Sequence, residues 1–308
     1  MPYTGLSIFI TGATGFIGQH LVRTLLGQGH VVRALVRPEK VMDIRTPVAC
    51  EQLPVGLTDV DGLTNIVAEC DAVIYCAGSV RGRSPEDFSD ANINGVRAML
   101  EALERVPGSP PLLLVSSLAA SRPQLSDYSF SKHAGEQLLL DKSSLAWTIL
   151  RPPAVYGRGD KEMLPVLKMA RRGLLVHAGP NDQRLSLLHV DDLARAVLAW
   201  MESWQQCLHK TYAIDDGRPG GYDWPAIGTA VSDGKHRSLK LPRLLLDIAA
   251  RSNLVAAKLL GYQPMLTPGK VRELTQTDWL GDNRDFTADT GWKPELDLHT
   301  GVQQLFNS

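Results

Sequence analysis

Uninterrupted apolar stretches are scarce in this sequence, and what is missing narrows its class before any motif is considered. The most membrane-like segment, Leu241 to Leu260, is broken by Arg243, Asp247, Arg251, Asn253 and Lys258, so crossing a bilayer would bury several charges. It reads as an amphipathic helix, either facing the core or covering an apolar substrate. No basic region followed by a long apolar segment precedes the first strand-like run, Leu6 to Ile10, so export is not expected and the cytoplasm is. Cysteines are few: Cys50, Cys70, Cys76 and Cys207 have no close paired spacing, which argues against a zinc site and a disulfide framework and for a reducing compartment. The histidines show no ligand spacing either, and no metal is expected. A formal net charge of -1, with basic residues scattered, argues against a nucleic-acid partner. The one tight basic pair, Arg171-Arg172, suits a helix C-terminus. Internal repeats and low-complexity tails are absent.

What is present is an alternation. A length of 308 residues suggests roughly two domains. Strand-like runs at Val31 to Val36, Ala72 to Cys76, Leu112 to Ser116 and Trp147 to Leu150 alternate with helical stretches, which specifies an α/β, Rossmann-type doubly wound parallel sheet. After residue 157 prolines and glycines break the chain into shorter elements, consistent with a smaller, irregular C-terminal substrate domain. The division expected is a dinucleotide-binding domain over 1–160, with 185–215 returning to it, and a substrate-binding domain over 161–184 and 216–308.

Thr11-Gly12-Ala13-Thr14-Gly15-Phe16-Ile17-Gly18 joins the first strand to a helical stretch, His20 to Leu26. Glycines there allow a sharp turn and close approach to a pyrophosphate, whose charge meets unpaired amides at the helix start. Arg37 ends the next strand, nineteen residues after Gly18, where an acid usually holds the ribose hydroxyls in NAD sites. A guanidinium there would pair with a 2′-phosphate, and Arg33 adds positive charge, so NADP is preferred to NAD. Ala77 and Gly78 are small residues at a strand end, as needed where a cofactor lies across it. Tyr128 and Lys132, four apart, share one helix face; the ammonium would ease loss of the phenol's proton. Adjacent serines at a strand end, Ser116 and Ser117, point opposite ways, and Ser117 is preferred by register.

These motifs in this order resemble the extended short-chain dehydrogenase/reductases, often labelled the NAD-dependent epimerase/dehydratase family, over nearly the whole chain. Gly12 to Gly18 resembles the cofactor loop, including Thr14, Gly15, Phe16 and Ile17. Val115-Ser116-Ser117 is similar to the catalytic-serine strand, and Tyr128 with Lys132 to the catalytic pair. Arg151 to Gly157 resembles the segment passing the nicotinamide, implying contacts from Pro152 and Val155. His189-Val190-Asp191-Asp192 resembles a structural motif, read as a packing histidine before an acidic helix start, and Gly291-Trp292-Lys293-Pro294 the family's closing segment. The resemblance implies a Ser117 hydroxyl on the substrate oxygen, proton transfer by Tyr128, and Lys132 also on the nicotinamide ribose. Asn92 matches a helix position near the site and is given little weight. Leu57 is expected to pack on the adenine, although Gly56 replaces the usual acid before it and leaves Asp59 nearest. A homodimer through the helices of Asn92 and Tyr128 is also implied.

Ala154 stands where many nucleotide-sugar members carry an asparagine, and the interval from Ser117 to Tyr128 is short, like that of the ketone- and aldehyde-reducing branch. The leading expectation is an NAD(P)-dependent oxidoreductase that reduces a ketone or aldehyde, or oxidises a secondary alcohol, on a small and mostly apolar molecule by Ser-Tyr-Lys chemistry. A nucleotide-sugar epimerase/dehydratase and a non-catalytic NADP-binding redox sensor are the alternatives. The expected partner is a small-molecule substrate, without nucleic acid or membrane. Arg81, Arg83 and Arg184 lie in the loops expected to face it, either meeting an acidic group or solvated.

Overall fold

The structure is a computed structural model that describes residues 5–36, 50–232 and 234–307. Arg37 therefore lies outside the described residues. The strands are β1 (Ser7–Thr11), β2 (Val31–Leu35), β3 (Glu51–Leu53), β4 (Ala72–Tyr75), β5 (Leu112–Val115), β6 (Trp147–Arg151), β7 (Ala154–Tyr156), β8 (Leu174–His177), β9 (Arg184–Leu185), β10 (Leu187–His189), β11 (Lys210–Ala213), β12 (Arg237–Lys240) and β13 (Asp278–Trp279). Seven of them form one sheet in the order β11-β6-β5-β4-β1-β2-β3. Every pairing in it is parallel. The order reverses between β1 and β4, and a crevice opens outside the strand ends at such a reversal. Helices on both faces bury the central strands completely, as the continuous apolar runs of β4 and β5 require.

Period-two alternation divides the core. Ile8 and Ile10 face one layer with Leu21, Val22 and Leu25 of the helix Phe16–Gly27 and with Val197 and Trp200. Phe9 faces the other, with Val73, Leu114, Met99 and Leu103. Phe286 and Trp292, which the sequence reading gave to the smaller domain, pack into the first of these layers. A separate core gathers Tyr156, Leu167, Leu175, Tyr222 and Ile227. Three parallel strand pairs, β7 with β10, β8 with β12 and β9 with β13, stiffen this second part.

The helix Arg243–Leu260 forms where amphipathic patterning predicts it, but only Leu246, Ala250 and Ala257 are buried. It faces the core along a narrow stripe, and a second apolar face stands in solvent. Among the described residues no helix is long and apolar enough to cross a membrane.

Asp192 ties the C-terminal segment to the sheet. Fully buried, it accepts hydrogen bonds from the Glu295 and Leu296 amides, both at 2.9 Å, and pairs with Arg195. Asp192→Ala leaves two amides without their acceptor and Arg195 with Glu295 alone, at 3.4 Å, so unfolding in urea is expected to show a loss of roughly 3 kcal/mol. A change below about 0.5 kcal/mol would mean that the segment is held by packing alone.

Candidate active site

Backbone meets backbone at the carboxyl end of β1. Gly12 has φ +73°, and a Cβ built on it lies 2.7 Å from the Ala77 amide nitrogen. A Cβ on Gly18 lies 2.1 Å from the Gly12 carbonyl oxygen, so any side chain there would force the helix away from the strand. The Gly15 amide donates to the Gly12 carbonyl at 2.9 Å, closing the turn. Gly15 is the N-cap of the helix Phe16–Gly27, and no side chain caps it. Amides of its first turn are thus available to an anion, helped by the helix dipole. Gln19 fixes the Thr14 carbonyl from Nε2 at 3.0 Å, Ile17 packs on the core, and Phe16 stands edge-on to His20, with ring centroids 5.7 Å apart. The cradle a Cβ would fill and the uncapped helix start fit a pyridine dinucleotide.

Thr11 joins this loop to the next. Its hydroxyl accepts from the amides of Cys76 and Ala77 at 3.1 and 3.0 Å, holding Ala77 and Gly78 across the crevice. Leu57 is half-buried against the core and touches Gly95, where a Cβ would lie 2.7 Å from Leu57 Cγ. Asp59, the nearest acid, caps the helix Val60–Val67 by accepting from the Gly62 amide at 3.0 Å. Arg33 supplies no free positive charge: Glu51 and Glu69 hold it at 2.8 and 2.9 Å, and these bonds raise its pKa.

Tyr128 and Lys132 lie on the helix Asp127–Leu140, whose N-cap Ser126 accepts from the Ser129 amide at 2.9 Å. Lys132 is 7% exposed. Its Nζ donates to the Val115 carbonyl at 3.0 Å and lies 3.8 Å from where a Gly78 Cβ would stand, so the amine sits between the ends of β4 and β5. Burial lowers its pKa to about 8 against the opposing charges of Cys76 and Glu136. Burial raises the Tyr128 phenol above its ordinary value; a hydrogen bond with the Ser117 side chain opposes this, and Glu273, Lys270 and Glu162 act as nearby charges. Burial outweighs the bond and the charge that favour the phenolate, while the Lys132 amine is engaged by the Val115 carbonyl.

The two serines part as strand alternation requires. Ser116 donates to the buried Glu136, whose carboxylate also holds Arg151 Nε at 3.0 and 3.1 Å, and it has no path to the crevice. Ser117 Oγ accepts from the Ala119 amide at 3.2 Å and meets Tyr128. Pro152, whose carbonyl accepts from the Leu118 amide at 2.8 Å, and Val155 on β7 run beside it.

Asn92 carries more than its sequence signal indicated. Only 2% exposed, it bonds both backbone groups of Ser79, at 3.1 and 3.0 Å, and Ser131 Oγ at 2.9 Å. Its carbonyl presses on the Tyr128 helix, where a Cβ on Gly135 would lie 2.2 Å away. Ser131 and Gly135, three and seven residues after Tyr128, were the sequence signal for this contact. Lys270 and Glu273, from the second part of the chain, had none.

Arg81, Arg83 and Arg184 pair within the chain, with Glu162 at 2.6 Å, Asp87 at 3.7 Å and Asp223 at 3.5 Å. Phe88 provides an aromatic wall, its ring centroid 6.3 Å from that of Tyr128. His189 packs edge-on against Tyr156 and accepts from the Asp191 amide. Among the described residues no cluster of histidine, cysteine and carboxylates could hold a metal.

Known proteins align with this arrangement. The model of the NAD dependent epimerase/dehydratase family matches residues 8–214. The chain is 35% identical over 277 residues to the ceramide reductase of Caulobacter vibrioides, covering 88% of this chain and 85% of that protein. It is 29% identical to the 2-alkyl-3-oxoalkanoate reductase of Stenotrophomonas maltophilia, covering 97% and 98%. In fold it is similar to the UDP-glucuronic acid 4-epimerase of Bacillus cereus, solved with UDP-glucuronic acid and NAD, with a TM-score of 0.72 at 18% identity over 98% of each chain.

Two outcomes are expected. Gly18→Ala should weaken dinucleotide binding, read by fluorescence titration, at least about tenfold, or ~1.4 kcal/mol. Lys132 binds fewer protons in the folded chain than in the unfolded one between pH 8 and its ordinary value of 10.5, so its contribution to stability rises with pH through that window. Relative to Lys132→Met, the cofactor-free protein should gain on the order of 3 kcal/mol from below pH 8 to above pH 10.5. A flat difference across those pH values would contradict the buried amine.

Proposed function

Since this chain belongs to the NAD dependent epimerase/dehydratase family, we propose that it is an NADP-dependent reductase of a ketone or aldehyde on a small, mostly apolar molecule. The placing of Lys132 Nζ on the Val115 carbonyl beside Gly78, four residues along the helix from Tyr128 and at the strand end that carries Ser117, supports this reading. A bound dinucleotide supplies the hydride. The chain's part is to orient the carbonyl and complete its protonation: Ser117 donates a hydrogen bond to the substrate oxygen, and Tyr128 gives its proton to the same oxygen as negative charge develops there. Burial keeps the phenol protonated at neutral pH, the form that donates to the carbonyl oxygen. The position of Lys132 beside Gly78 supports a contact with the nicotinamide ribose.

Substrate class follows from what surrounds the phenol. The three arginines of the neighbouring loops are already paired with carboxylates of the chain, which disfavours a diphosphate, and Phe88 offers an apolar wall. Relatives named for a ceramide and for a 2-alkyl-3-oxoalkanoate support a carbonyl borne on an aliphatic molecule. Preference for NADP over NAD rests on Arg37 alone, since Arg33 is held by two glutamates. We assign 161–184 and 216–308 to substrate binding, less Phe286 and Trp292. Exposed Phe130 and Leu140 on the Tyr128 helix support a homodimer through that helix.

Purified protein with NADPH and a panel of long-chain ketones tests the reading through the loss of reduced-cofactor absorbance. Tyr128→Phe should lower kcat at least about a hundredfold with dinucleotide affinity unchanged. Conversion of a sugar nucleotide without net absorbance change would favour an epimerase, and full cofactor binding with no reaction on any carbonyl would favour a sensor.

A further inference from the structure

Among the described residues, none covers the outward face of the helix Arg243–Leu260. At 100° per residue, Leu244, Ile248, Val255 and Leu259 fall within about 60° of arc, with Leu245 beside them. All five are between 55% and 80% exposed. The opposite face already packs, through Leu246 and Ala250, on Val271 and Leu266. An aliphatic stripe from Leu244 to Leu259, about 24 Å long, exceeds the scattered apolar exposure of an ordinary surface.

Charge beside the stripe selects its occupant. Arg243, Arg251 and Lys258 are exposed basic residues on this helix, against a single acid, Asp247, and β12 brings exposed Arg237 and Lys240 to the same part of the chain. Asp247 pairs with Arg243 at 3.8 Å. Arg251 stands at the helix midpoint on the border of the stripe, so a second copy laid antiparallel across it would set Arg251 against Arg251. Aliphatic side chains with a basic margin are instead the makeup of a helix that lies in the interface of an anionic membrane.

The stripe also leads to the site. After Gly261 the chain passes Leu266, whose carbonyl accepts from Asn253 Nδ2 at 2.9 Å, into the helix Pro268–Leu274. That helix presses on the start of the Tyr128 helix: a Cβ on Gly269 would lie 2.8 Å from Ser126 Cβ, and Arg272 Nε donates to the Leu125 carbonyl at 2.7 Å.

We propose that the helix Arg243–Leu260 adsorbs to an anionic lipid surface by this exposed face, bringing the Tyr128 crevice to the interface where a long-chain carbonyl substrate would reside. The partner's chemistry is that of an acidic phospholipid bilayer; the substrate clause rests on the reading under Proposed function, whereas adsorption itself does not. Adsorption runs against the sequence expectation of no membrane partner, which rested on the absence of a spanning segment.

Co-sedimentation of the full chain with vesicles of phosphatidylcholine, alone or with phosphatidylglycerol, tests it. The wild type should pellet with the mixed vesicles and about tenfold less with the neutral ones. Ile248→Glu with Leu259→Glu should cost at least about tenfold in binding to mixed vesicles, and Arg251→Glu several-fold on mixed vesicles only. The thermal transition and NADPH titration of each variant should match the wild type. If the double variant fails to fold, the Arg251→Glu comparison decides alone. Wild type left in the supernatant with both lipids would overturn the proposal, as would binding indifferent to the substitutions, or a dimer that the double variant dissolves without any vesicle binding. Vesicle binding together with absent carbonyl turnover would instead sink the reductase reading.

Discussion

The site depends on one constraint, the close approach of bare backbone to backbone at the carboxyl end of the sheet. With Gly18 a Cβ's width from the Gly12 carbonyl, β1 can feed a helix directly, and the helix start then faces the crevice uncapped. The same economy recurs where Gly135 lets the Tyr128 helix rest on the Asn92 carbonyl. Lys132 and Tyr128 are aimed by that contact, because a helix displaced by even a methyl group would move both side chains with it. Reach and register at the site are therefore consequences of packing that no reacting group provides.

Burial sets the chemistry within that frame. Lys132 lies in a nearly dry position with a carbonyl for a partner, and its amine titrates well below a surface lysine. Tyr128 moves the opposite way for the same reason, since removing water penalises the ammonium and the phenolate alike. The pair that sequence spacing presents as a lysine easing a phenol is, in the cofactor-free chain, two groups each held toward its neutral form. Charge from the second part of the chain, Lys270 and Glu273, reaches the phenol from a distant stretch of sequence.

Much of this was readable in advance. Short apolar runs marked β1, β2, β4, β5 and β6 to within a residue or so, because strands buried on both faces must be continuously apolar. The glycine turn, the shared helix of Tyr128 and Lys132 and the different partners of Ser116 and Ser117 rest on local geometry, and local geometry is written in neighbouring residues. Less was legible where partners are distant. β3 and β11 are short and carry polar residues, so nothing in their composition announces that they extend the sheet at its edges. Arg33 looked like free positive charge until Glu51 and Glu69 were found beside it. Asn92 carries little weight in the sequence, and only the fold brings Ser79 and Ser131 onto it.

Sequence by itself determined the parallel α/β architecture and the glycine turn after β1, because each depends on residues within a turn or two of one another. Only the tertiary structure decided which charges remain unpaired and which way Lys132 points. It also decided which face of the helix Arg243–Leu260 is covered. Ion pairing, desolvation and coverage are properties of groups brought together from far apart, and no local pattern encodes which distant side chain will arrive.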